Sequence, residues 1–198
     1  MDTARTSRIF GAIGIVAAVA FIPSFFLGAT PTGAADIVNG ICMIIGMLGF
    51  AALYLGYRRV GAGGAGRAAS LGLLLLAIGH LLILGGALLL SALGIDDGGN
   101  SPATLVFPLG GLLILVDGFI AGIAVVRARV LEGWRRWALL VTAIAYLLVT
   151  ASEIAGGDHV SYALNAFGVI WPLTVLLNAW ALRTGMTEPA RTPELVTA

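Results

Sequence analysis

Hydrophobic positions in this chain do not scatter; they gather into six long runs. They span Ile9–Leu27, Ile37–Tyr57, Ala68–Leu93, Leu105–Val126, Trp137–Ile154 and Tyr162–Leu182. Each is long enough to cross about 30 Å of hydrocarbon at about 1.5 Å of rise per residue. No water is available at that depth, so every backbone N–H needs a partner within its own segment and each run is predicted to be a helix. The breaks carry turn chemistry: Pro31-Thr32-Gly33, Gly61-Ala62-Gly63-Gly64, Asp96-Asp97-Gly98-Gly99-Asn100 and Gly156-Gly157-Asp158. The expected fold is all-α and polytopic: six transmembrane helices in three hairpins over residues 9–183. A cytoplasmic N-terminus (1–8) precedes them and a disordered cytoplasmic tail (184–198) follows.

Basic residues set the expected orientation. Arg5 and Arg8 precede the first run, and Arg58, Arg59 and Arg67 lie between the second and third. Arg127, Arg129, Arg135 and Arg136 lie between the fourth and fifth, and Arg183 and Arg191 follow the sixth. The other three loops hold no arginine; they hold Asp36, Asp96, Asp97, Asp158 and His159. Cytoplasmic loops collect basic residues, so both termini are expected in the cytoplasm, in a bacterial cytoplasmic membrane. Arg5, Arg8 and the following apolar run also resemble a secretory signal, but about 19 apolar residues is long for such a segment.

Composition agrees with lipid as the solvent. Of 198 residues, 59% are hydrophobic and 11% charged, with a mean hydropathy of +1.02. Soluble domains carry about 25% charged residues. A net charge of +1 provides no field for nucleic acid. The single cysteine, Cys42, excludes an internal disulfide and a cysteine zinc cage.

Small residues predict where helices approach closely. Gly72, Gly79 and Gly86 recur at heptad spacing in the third run. Gly111, Gly118 and Gly122 mark the fourth, and Gly49 and Gly56 the second. These stripes suit packing within the bundle or, alternatively, a homodimer seam. Pro108 falls in a first turn, where proline is tolerated, whereas Pro172 is mid-helix and is expected to kink the sixth helix. Trp134 and Trp137 flank Arg135 and Arg136, a pattern that suits the membrane interface.

Ionisable groups in hydrocarbon are costly and are candidates for function. His80 lies 13 residues beyond Arg67, roughly 19 Å into the membrane, and Asp117 lies 10 residues before Arg127, roughly 15 Å in. The two are expected in one layer, within hydrogen-bonding or single-water reach, as an acid–base pair or as a structural lock between helices. Tyr146 and Thr174 reach a similar depth and are candidate ligand-binding donors. Asn39, Glu153 and Asn165 form a second polar layer near the outer surface, a candidate mouth. Glu153, Asp158 and His159 have the chemistry of divalent-metal ligands, but their spacing matches no motif and no metal is expected. No P-loop, dinucleotide fingerprint, HExxH or haem-attachment sequence is present, so no cofactor is expected.

The hairpin plan, with Gly133-Trp134-Arg135-Arg136-Trp137 leading into the fifth run, resembles small six-helix bacterial membrane proteins of unknown function. That resemblance implies a layout and no activity. Short loops and the lack of a catalytic motif favour a non-enzymatic module that binds lipid or a small molecule, or an accessory subunit of a membrane complex or transporter. The expected partners are membrane lipid and a partner subunit or second copy. An intramembrane enzyme using His80 and Asp117 on an apolar substrate is the alternative, and a proton-coupled carrier is a third reading.

Overall fold

Backbone hydrogen bonding in the computed structural model follows the apolar runs closely. The structure describes residues 2–27, 33–94, 102–154 and 160–185. Among the described residues there are six α-helices: α1 (Thr3–Leu27), α2 (Ala34–Arg59), α3 (Arg67–Leu93), α4 (Val106–Ala128), α5 (Ala138–Ile154) and α6 (Val160–Gly185). There is no strand among the described residues. The side chains of Glu153 and Asn165 lie outside the described residues, as do the loops holding Asp96, Asp97, Asp158 and His159 and the tail beyond Gly185.

The main departure from the hydropathy reading is at α1, which starts six residues before Ile9. Asp2 supplies the reason: its carboxylate accepts from the Ala4 N–H at 3.0 Å and its carbonyl from the Thr6 N–H at 3.0 Å. Hydropathy marks the hydrocarbon, whereas capping marks the helix. At the other end of α3, Gly94 adopts φ 62°, a left-handed conformation that closes the helix cheaply only for glycine.

Each helix packs on the next, and α6 closes on α1, so the six form a ring with antiparallel neighbours. Glycines are what let the backbones meet. Gly46, Gly49 and Gly56 of α2 lie on Phe21, Ala17 and Phe10 of α1. Gly72, Gly79 and Gly86 of α3 face Ala121, Ile114 and Val106 of α4. Gly111, Gly118 and Gly122 of α4 face Tyr146, Ala143 and Leu140 of α5. Gly11 and Gly14 of α1 lie on Ala179 of α6. The glycine stripes are therefore seams within this chain. Antiparallel neighbours bring every arginine of the described residues to one end of the bundle.

The outward face is apolar. Val16, Ile37, Leu71 and Leu112 are more than half exposed. Five helical segments among the described residues are long and apolar enough to cross a membrane: Thr3–Ser24, Ala34–Arg59, Arg67–Leu93, Val106–Ala128 and Gly133–Ala151. These apolar helices are consistent with an integral membrane protein. Before α5 the chain forms a tight turn, Gly133–Trp137. There Trp134 and Trp137 point outward, with the Arg135 and Arg136 guanidinium groups 5.8 and 5.7 Å from their ring centres. The Arg135 Nε also donates to Thr184 Oγ1 at 3.1 Å, tying this turn to the end of α6.

Candidate functional site

Five of the six helices send an aromatic ring or imidazole into the middle of the bundle. Phe50 and Tyr54 are four residues apart and so share one face of α2. They meet His80 of α3 with ring centres 5.7 and 5.2 Å apart. Trp171 of α6 stacks on His80 at 6.0 Å with an interplanar angle of 23°. Phe21 of α1 and Tyr146 of α5 pack on Trp171 at 5.5 and 5.3 Å. Edge-to-face and offset contacts of this kind suit the ring quadrupoles. From α4, Ile114 and Gly118 complete the wall.

His80 is fully buried. Its Nδ1 lies 2.8 Å from the Leu76 carbonyl oxygen. A carbonyl can only accept, so Nδ1 carries the proton and donates. In the neutral ring Nε2 is then a bare acceptor, and it has no hydrogen-bond partner among the described residues. Beside this cluster is a cavity of about 10 Å³ that Tyr54, Thr142, Tyr146 and Trp171 help to line. That is about the space of one water molecule.

Of the hydrogen-bonding or single-water reach expected between His80 and Asp117, the direct bond is absent among the described residues: Nδ1 is bonded to Leu76 and Nε2 has no partner there. The cause is azimuth. Successive helical residues point about 100° apart. His80 follows Gly79, which sits on the α4 seam, so His80 turns toward α2 and α6. Asp117 precedes Gly118, which faces α5. Asp117 therefore belongs to the stripe of Gly110, Ile114 and Ala121 along α3, where it is buried.

Of the other candidates, Tyr146 joins the central cluster. Thr174 spends its hydroxyl on the Trp171 carbonyl of its own helix at 2.7 Å. Asn39 is half-buried near the start of α2, its Oδ1 without a hydrogen-bond partner among the described residues. Sequence reasoning passed over a second polar group, centred on Asn178 of α6. The Tyr57 hydroxyl donates to the Asn178 carbonyl at 2.9 Å, and the Asn178 amide donates to Thr142 Oγ1. Thr142 in turn donates to the Ala138 carbonyl at 3.1 Å. This network joins α2, α5 and α6, and all three residues are buried. An amide inside an apolar run, five residues before Arg183, was the available signal.

Larger spaces among the described residues include three grooves. A groove of about 560 Å³ runs between α1 and α2, lined by residues including Ile13, Val16, Ile45 and Leu48. One of about 570 Å³ lies against α4 and α5, lined in part by Leu112, Leu115, Tyr146 and Thr150. Another of about 590 Å³ lies between α3 and α4 at the arginine-bearing end. No group of three or more histidine, cysteine, aspartate or glutamate side chains among the described residues is placed to hold a metal ion. No protein-family model, curated protein or solved structure matches this chain.

Proposed function

We propose that this protein is a non-enzymatic membrane module that holds lipid against its outer surface, as a free-standing protein or as an accessory subunit of a larger complex. The supporting observation is a contrast of volumes. The cavity beside the central cluster holds about 10 Å³, whereas grooves of about 560 and 590 Å³ open between α1 and α2 and between α3 and α4. An intramembrane enzyme or a carrier working through His80 would need room for a substrate beside it. An acyl chain needs only a groove open to the bilayer.

Native mass spectrometry of protein released from membranes in mild detergent tests this reading. The expected result is a protein peak carrying phospholipid masses that persist under gentle activation. A bare protein peak under the same conditions would sink it. An added polypeptide mass would identify the accessory-subunit form.

The orientation belongs to the same proposal: three hairpins in a bacterial cell membrane, with both termini in the cytoplasm. In a Cys42→Ala background, cysteines placed at Gly64 and Gly133 should react only with membrane-permeant reagents. A cysteine at Gly98 should react with impermeant ones. Labelling at Gly64 by an impermeant reagent added from outside would reverse the assignment.

A further inference from the structure

We propose that the groove between α3 and α4 at the arginine-bearing end is a binding site for one anionic phospholipid. The proposal deepens the lipid-holding reading above and rests on it. The groove is open because its floor has almost no side chains: Gly63, Gly64, Ala65 and Gly66 form it. Gly64 is held at φ 76°, a conformation that favours glycine, and a Cβ there would stand 3.2 Å from the Ala128 methyl. A larger residue in this turn would close the space that a headgroup needs.

The α4 wall is graded from polar to apolar. Arg127 stands at the mouth, and Ile123 and Ile120, each 42% exposed, follow beneath it. At the helical rise they lie about 6 and about 10 Å deeper. A phosphate at Arg127 would therefore place its acyl chain along these two isoleucines.

Charge selects the headgroup. Arg127 is exposed and makes no hydrogen bond or ion pair among the described residues, whereas Arg58 is bonded to Ser70 Oγ at 2.9 Å. No carboxylate lines the groove. Arg67 and Arg129 are the flanking residues on α3 and just after α4. A guanidinium pairs well with a phosphate. A zwitterionic headgroup would bring its own cation into this cluster, and an anionic one would not.

The test is a native mass spectrometric titration of delipidated protein in mild detergent with phosphatidylglycerol or phosphatidylcholine. The parent should bind the first phosphatidylglycerol more tightly than phosphatidylcholine. Arg127→Gln should weaken that binding about fivefold, the scale of one arginine near a membrane surface. Ala124→Trp, which fills the groove without changing charge, should weaken it as well. Arg59→Gln removes the same charge at the same end but away from the groove, and should leave binding unchanged. Equal losses in Arg127→Gln and Arg59→Gln would reduce the effect to diffuse charge and overturn the site. So would parental binding in Ala124→Trp. Either result leaves the lipid-holding reading standing while the parent retains lipid from membranes; loss of that retention overturns both.

Discussion

Leucine in place of Gly79 should destabilise the bundle by at least about 1–3 kcal/mol, the range typical of overpacking. At this point α3 and α4 cross with their backbones in contact. A Cβ on Gly79 would stand 2.9 Å from the Gly110 carbonyl oxygen and 3.1 Å from the Ile114 nitrogen. A Cβ on Gly110 would meet the Gly79 carbonyl oxygen at 2.9 Å and the Ile83 nitrogen at 3.1 Å. The crossing is thus locally two-fold, with Gly79 and Ile83 on one helix matched by Gly110 and Ile114 on the other. Backbone atoms cannot swing aside as a side chain can, so even Gly79→Ala should be felt. Gly85 is the control: nothing lies within 4 Å of a Cβ there. Gly85→Leu should be neutral or slightly stabilising, because glycine is a poor helix former. Thermal unfolding in detergent measures both. A Gly79→Leu variant that melts with the parent would mean that α3 and α4 do not cross there.

The same crossing marks what the sequence could and could not convey. Heptad-spaced glycines announced a seam on α3, and the α3 seam is where they lie. Helix ends agreed with the apolar runs to within a few residues, except where Asp2 extends α1 through Thr3–Arg8. Depth could be reckoned for His80 and Asp117 only as a count of residues times a rise. Direction was not used, although the adjoining glycines carried it: a residue next to a seam glycine points about 100° away from that seam. Applied to Gly79, that rule sends His80 away from α4. It could not have named Phe50, Tyr54 and Trp171 as the cage. Aromatics are scattered through every run but the third, and only the closing of α6 on α1 and α2 brings Trp171 to the centre. The Tyr57–Asn178–Thr142 network was hidden for a similar reason, since its members are separated by up to 121 positions in the chain.

Trp171→Ala is the second change expected to have a large effect. Trp171 is buried at 6% exposure and packs on Phe21, Phe50, His80 and Tyr146, so it links four other helices. In a bilayer the unfolded reference is already apolar, which removes much of the benefit of leaving water. What remains is packing: a void the size of an indole loses contacts on every side, at a cost of about 3 kcal/mol. Trp180, on the same helix but 51% exposed to the outside, should lose about 0.5 kcal/mol or less on the same substitution. The void in Trp171→Ala would be apolar and shaped for indole, so added indole should restore part of the lost melting temperature. The parent and Trp180→Ala should show no such recovery. If Trp171→Ala melts with the parent, or if indole acts equally on all three proteins, then the aromatic cluster does not hold the ring closed. The interior around His80 would then have room to open, and the case for confining function to the outer grooves would fall with it.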